Sequence, residues 1–285
     1  MIDILTLNYN DANSTINFVE SIKKFDCVNH ILIVDNKSTD DSVIQLKKVL
    51  SSKTSLICTE KNGGYGYGNN CGIQYLKKNF KSKFILLANP DVLIEEKTLI
   101  SLENFLSMHK NYAIVAPLML DTAKREQYNT AFRIPNIVEY LMSFDLLISK
   151  FFKPFFYKDI DKNKDYLDVG AVSGSLFLMD VDKMIHCGMF DEGLFLYCEE
   201  HVLGIKMKNA GYKTALLPKE SFIHVHSVSI NKSFKSLLSK NALMSRSRLY
   251  VLKKYYTDNP IICFLGKFIL AIRSLEISIL SLKNK

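Results

Sequence analysis

The sequence predicts an α/β protein: a mostly parallel central sheet flanked by helices, with a helical, basic C-terminal appendage. Three observations predict it. Between Ile2 and Ala88 short aliphatic runs alternate with helix-spaced patterns, the signature of βαβ units and a parallel sheet. One run, Phe84-Ile85-Leu86-Leu87-Ala88, carries no charge and stops at Asn89-Pro90-Asp91, as a strand buried on both faces does. From Lys232 onward an apolar helical face is combined with an excess of lysine and arginine.

Taken in order, Ile2–Leu7, Ile31–Asp35, Ser55–Cys58 and Phe84–Ala88 read as strands. Between them Ile16, Val19, Ile22 and Lys23 share one helical face, and Val43, Leu46, Val49 and Leu50 another. Asp40 or Asp41 suits the cap of that second helix, and 69–79 makes a third. After Val115-Ala116-Pro117 the pattern changes, and 136–165, rich in aromatics and lysine, reads as a helical insertion beside the sheet. A strand over Val169–Met179 follows, then helices near Val181–Cys187 and from about Glu199 to Ala210. In the tail, Ile261, Leu265, Phe268, Ile272, Leu275, Ile279 and Leu282 fall on one face of an amphipathic helix. Packing of its inner part against its own domain or a second copy is the plainer reading, and a membrane surface competes with it.

Composition narrows the function. A chain of 285 residues that is 48% hydrophobic suits one large domain or a domain with an appendage. No run of apolar residues is long enough to cross a bilayer, and the start shows no secretory pattern. Cys27, Cys58, Cys71, Cys187, Cys198 and Cys263 are scattered without a C-x-x-C pair, so reduced cytosolic thiols are expected rather than zinc or disulfides. The net charge of +8 implies phosphates or a lipid surface. Nucleic acid is disfavoured, since no zinc-finger spacing or RNP-like aromatic motif is present.

Several segments carry chemistry. Pro90 cannot extend a ladder, so Asp91 arrives at the carboxyl edge of the sheet, where open α/β folds bind ligands. A carboxylate there suits a divalent metal serving a phosphate; a plain turn is the alternative. Asn8 and Tyr9 close the first strand at the same edge. Asp35 closes the second, as an acceptor for a base imide or ribose hydroxyl. The loop Asn62-Gly63-Gly64-Tyr65-Gly66-Tyr67-Gly68-Asn69 opens a helix, so its backbone can approach phosphate closely. It lacks the third glycine of a dinucleotide fingerprint and sits after the wrong strand, which disfavours a NAD enzyme. Glu199 and Glu200 suit a helix start, and Phe195, Leu196 and Tyr197 beside them would raise a carboxyl toward general-base range. His224 and His226 alternate in a strand-like run, as ligands or as a satisfied edge.

Together these motifs, N-Y-N, V-D-N-x-S-x-D, the glycine loop, N-P-D, G-x-F-D-E-x-x-F-x-Y-x-E-[DE] and a late H-x-x-x-x-S, resemble the inverting family 2 glycosyltransferases over about residues 2–255. The rhamnosyltransferase-like branch of bacterial polysaccharide synthesis is the nearest in pattern. The resemblance implies a GT-A catalytic domain over 1–230, with a nucleotide-binding half at 1–117, the insertion at 136–165 and an acceptor half at 166–230. The tail would occupy 231–285. It implies a nucleotide-diphosphate sugar (dTDP- or UDP-linked) held by Asn8, Tyr9, Asp35, Asn62, Asn69 and Asn89. Asp91 and His224, with His226 in reserve, would hold Mn or Mg. Glu200 would be the base, with Glu199 able to share the role, and Asp191, Glu192 and Tyr197 would lie on the acceptor side. The acceptor would be lipid-linked and the enzyme peripheral at the inner face of a bacterial membrane, with a homodimer through the tail helix as one option. Two departures stand out: glutamate replaces the usual aspartate at Glu200, and Val202-Leu203-Gly204-Ile205-Lys206 replaces the family's later acid and arginine. Two rival readings remain: a sugar-phosphate nucleotidyltransferase, which would want a basic glycine-rich loop after the first strand that Leu7–Thr15 lacks, and a non-catalytic partner of a glycan assembly complex.

Overall fold

The structure is a computed structural model that describes residues 1–151, 155–157, 160–225 and 237–283. Four parallel strands form the first half of the sheet: β1 (Ile2–Asn8), β2 (Val28–Asp35), β3 (Thr54–Cys58) and β4 (Phe84–Ala88). They are joined by α1 (Ala12–Ile22), α2 (Ser42–Leu46, continued by a 3-10 turn) and α3 (Tyr65–Phe80). β5 (Val92–Ile94), α4 (Glu96–Met108) and β6 (Tyr112–Leu120) follow. Next come β7 (Ala131–Phe132), α5 (Ile137–Met142), α6 (Leu146–Phe151), β8 (Leu167–Val169), β9 (Ala171–Val172) and β10 (Leu176–Asp180). α7 (Val181–His186), α8 (Glu199–Asn209), β11 (Lys213–His224), α9 (Leu237–Val251, ending in a π-helical turn Leu252–Tyr256) and α10 (Pro260–Lys283) complete the chain.

The sheet order is β3-β2-β1-β4-β10-β6-β11-β5, with β8 paired to β11. β10 runs antiparallel to both of its neighbours, β4 and β6. The uncharged run that forms β4 has its reason in burial: Phe84, Leu86 and Ala88 enter the core on one face, Ile85 and Leu87 the core on the other. Period-two alternation with both faces covered leaves no place for a polar residue.

Two expectations are corrected. Val169–Met179 is not one strand, because Gly170 and the Ser173-Gly174-Ser175 turn divide it among β8, β9 and β10. The apolar tail face is also reversed: α10 packs inward through Cys263, Gly266 and Leu270, while Ile261, Phe268 and Leu275 face outward. A Cβ on Gly266 would lie 2.6 Å from Leu252 and 3.4 Å from Leu141 and Phe144, so the glycine sets how closely the helix docks. Between Asp91 and Val115 the chain also holds β5, α4 and the start of β6, which the strand-and-helix reading omits.

A third apolar cluster gathers Tyr140, Phe144, Leu194, Val202, Val251, Leu252 and Leu270. It joins the 136–165 segment, α8 and the C-terminal helices in one core. α5 starts with a capping box between Asn136 and Glu139, which gives acceptors to two of the donors that a helix start leaves unpaired.

Candidate active site

The carboxyl ends of β1 and β2 build one side of the site. Asn8 donates to Asp35 Oδ1 (2.8 Å) and accepts from Thr15 Oγ1 (2.8 Å). Ser38 donates to Asp35 through its hydroxyl (2.6 Å) and its backbone N–H (2.9 Å). Both Asn8 and Asp35 are buried. A carboxylate has about four acceptor sites, so these three bonds leave one, on Oδ2. The expectation for Asp35 is therefore narrowed: most of its capacity shapes the loop that carries the partly exposed Tyr9.

The glycine loop is locked to the acidic loop opposite. Gly64 has φ +91°, and a Cβ there would lie 2.1 Å from the Phe195 carbonyl, so only glycine fits. Tyr65 N–H donates to that carbonyl at 3.0 Å. Asn62 Oδ1 accepts from Asn36 Nδ2 (3.0 Å) and Gly64 N–H (3.2 Å). Asn69 donates to the Tyr65 carbonyl (3.0 Å), and its buried Oδ1 has no hydrogen-bond partner among the described residues. Asn70, passed over in the sequence, makes the cross-link: its side chain bonds both backbone groups of Phe190 (3.1 Å each) and Glu192 Oε1 (2.9 Å).

Asp91 and His224 meet just beyond the carboxyl end of β4. His224 pairs with Val92 in the β11–β5 ladder, and Val225 N–H donates to the Asp91 carbonyl (2.9 Å). These bonds set His224 Nε2 3.2 Å from Asp91 Oδ1, with side chains only 14% and 10% exposed. An imidazole and a carboxylate at that spacing fit a divalent cation that takes its other ligands from phosphate and water. Among the described residues no cluster of three or more His, Cys, Asp or Glu side chains has metal-holding geometry. His226 lies outside the described residues.

The glutamate doublet opens α8, after Tyr197 and Cys198 in left-handed conformation (φ 73° and 71°). Two consecutive non-glycine residues there store strain, which clusters at functional sites. Glu200 Oε1 accepts from Gly174 N–H (3.0 Å), and a Cβ on Gly174 would lie 2.7 Å from that oxygen. Ser175 O in turn accepts from Asn89 N–H at 2.8 Å. The Asn89-Pro90-Asp91 turn and Glu200 are thus joined through two adjacent residues. Tyr65 Oη, donating to the Gly174 carbonyl at 2.6 Å, closes the same corner. Burial pushes up the pKa of Glu200, and burial with the charge of Glu200 pushes Glu199 to about 8. Two buried carboxyls side by side oppose each other's ionisation, so the doublet resists carrying two charges.

Asp191, expected on the acceptor side, is occupied by the protein itself. It accepts from Tyr255 Oη (2.6 Å), Lys254 Nζ (2.9 Å), Tyr250 Oη (3.0 Å) and Gly193 N–H (3.0 Å). Burial opposes its charge, yet these donors hold its pKa below the usual range. Ser247 Oγ also donates to the Leu196 carbonyl (2.7 Å), so α9 and its π turn fasten the loop that presents the doublet. A cleft of about 440 Å³ runs between glycine loop and α9, lined by Gly63, Glu192, Phe195, Arg246 and Tyr250.

Gly174 carried no role in the sequence reading, and Tyr65 and Asn70 in the glycine loop and Arg246 in the basic tail were given none as side chains. For Gly174 the signal was Ser173-Gly174-Ser175, a turn composition inside a strand-like run.

The model of glycosyl transferase family 2 matches residues 3–187. The chain belongs to that family. Rhamnosyltransferase WbbL of Escherichia coli (strain K12) is 26% identical over 266 residues, covering 91% of this chain and 96% of that one. An N-acetylglucosaminyl-diphospho-decaprenol L-rhamnosyltransferase of Mycobacterium tuberculosis (strain ATCC 25618 / H37Rv) is 25% identical over 209 residues, 68% of this chain and 66% of its own. The crystal structure of GalNAc-T7 with UDP, GalNAc and Mn2+ shares the fold at TM-score 0.58 and 15% identity, over 79% of this chain and 44% of that longer one. The fold of this glycosyltransferase is GT-A. The family match ends before α8, so Glu199, Glu200 and His224 lie beyond the matched residues.

Proposed function

We propose that this glycosyltransferase moves one sugar, rhamnose first among candidates, from a dTDP- or UDP-linked donor to a lipid-linked, growing surface polysaccharide. One connection carries the proposal: Asn89 to Ser175, and Gly174 to Glu200, which puts the Asp91–His224 pair and a raised-pKa carboxylate on one edge of the sheet. The rhamnosyltransferase relatives support the sugar, and the diphospho-decaprenol acceptor in one relative's name supports a lipid-linked acceptor.

In this reading Tyr9, the free Oδ2 site of Asp35 and the Asn62–Asn69 loop hold the nucleotide, with Asn89 beside the diphosphate. Asp91 and His224 would hold Mn or Mg, which when bound neutralises charge on the leaving diphosphate. Glu200 removes the proton of the acceptor hydroxyl. The oxygen attacks the anomeric carbon from the side opposite the diphosphate; the new C–O bond forms as the old one breaks, and configuration inverts. Glu199 keeps its proton and lowers the charge beside the base. The acceptor enters by the cleft at Arg246, whose guanidinium suits a diphosphate. Glu192 and Tyr197 lie on this side, and the enzyme works at the inner face of a bacterial membrane.

The test is nucleoside-diphosphate release from a panel of sugar nucleotides, with manganese, magnesium or EDTA, for the native chain and Glu200→Gln. Acceptor-dependent release from one donor that EDTA abolishes and Glu200→Gln lacks is the expected result. Equal release by both proteins removes Glu200 from the mechanism.

A further inference from the structure

α10 shows two faces of opposite fate. Its inner face is fixed by the Gly266 contacts described above. Its outer face is an apolar stripe in which Ile261 is 76%, Phe264 70% and Leu275 64% exposed, with Phe268, Ile272 and Ile279 between and beyond them. At 1.5 Å per residue the stripe runs for about 27 Å. Among the described residues no helix is long and apolar enough to cross a membrane, so the stripe is a side and not a span.

The surrounding charge selects the occupant. From Leu237 to Lys283 the acids are Asp258 and Glu276, against Lys240, Arg246, Lys253 and Lys267 among the cations, with Lys254 set aside because it pairs with Asp191. Glu276 is turned away, accepting from the Leu146 N–H at 3.2 Å, and Lys267 is exposed on the flank. A second copy would bring two such basic modules together at contact range, well inside a Debye length of about 8 Å. An anionic lipid surface accepts both the apolar stripe and the cations.

We infer that α10 lies flat on an anionic membrane, its stripe among the acyl chains and its basic flanks at the headgroups. The inference gives the lipid-linked acceptor proposed above its approach, and it rests on that reading for its purpose only. Glu199-Glu200 and the docked helix share one rigid module, because Tyr250, Lys254 and Tyr255 grip Asp191 on the loop that leads to the doublet.

The test is flotation of the full chain with phosphatidylcholine vesicles, with and without phosphatidylglycerol, alongside sedimentation velocity. The native chain should float only with the anionic vesicles, and F264E/L275E should bind at least about tenfold less while remaining folded by circular dichroism. No binding by the native chain, or equal binding by the variant, overturns the inference. So does a native dimer that the variant dissociates, which assigns the stripe to a second copy. The vesicles contain no acceptor, so failure here leaves sugar transfer to a water-soluble acceptor as a separate measurement.

Discussion

Asp191, on the loop before α8, and Glu199, on its first turn, stand eight positions apart, and burial opposes the charge of both. Their acidities move in opposite directions. Four donors converge on Asp191 and hold it ionised. Glu199 Oε1 has no hydrogen-bond partner among the described residues and faces the charge of Glu200 instead, so it stays protonated to about pH 8. Burial alone therefore does not decide the charge of a carboxyl; the donors around it do. One acid is spent on architecture, and the other keeps a proton poised beside the proposed base.

The comparison can be broken in four ways. The largest effect belongs to Glu200→Gln, which should lower kcat by about 10²–10⁴-fold, the usual worth of a general base, with little change in melting temperature. Asp191→Ala should do the reverse. It strands Tyr250, Tyr255 and Lys254, costs about 3 kcal/mol of stability in urea melts, and reduces activity only through that loss. A mutant that loses activity but not stability would place Asp191 in the chemistry.

The third test is pH. The folded Glu199 pKa of about 8 lies above its unfolded value of about 4.3. Between the two, the folded state binds the extra proton, so stability falls as pH rises, by up to about 1.4 kcal/mol per unit. Above pH 8 that decline ends. Glu199→Gln should flatten the slope measured by urea melts at pH 5, 6.5 and 8. Asp191, with its lowered folded pKa, adds stability that is present above about pH 3.9 and lost on acidification below it; Glu199→Gln leaves that limb in place. The smallest effect is expected from Arg246→Ala, with the acceptor KM rising about tenfold, equivalent to 1.4 kcal/mol, and the donor KM unchanged in initial-rate kinetics.

The first half of the sheet was legible because β1, β2 and β4 carry aliphatic runs that stop at polar residues, and those endings delivered Asn8, Asp35 and Asp91 to one edge. The pairing of Asp91 with His224 was legible from motif order, although the β11–β5 ladder that enforces it was not. The side-chain partners of Asp191 lie 59 to 64 positions away and leave no local trace. α4 was readable in Leu99, Leu102, Phe105 and Leu106, whose spacing follows a helix, yet Asp91 drew the attention. The tail misled for a physical reason: α10 is apolar on both sides, and the longer stripe is not the one that packs. Close approach chose the face with Gly266 and Cys263, since small residues let helices meet tightly.

The reversed direction of β10 has a wider consequence. Its parallel neighbours bring their last residues to the reacting edge, whereas β10 brings its beginning, the Ser173-Gly174-Ser175 turn. The chain reaches that turn from the segment rich in aromatics by way of β8 and β9, so on the proposed reading remodelling that segment would alter the acceptor side while the nucleotide half keeps its frame. Selectivity for new glycans can in this way diverge on a constant engine.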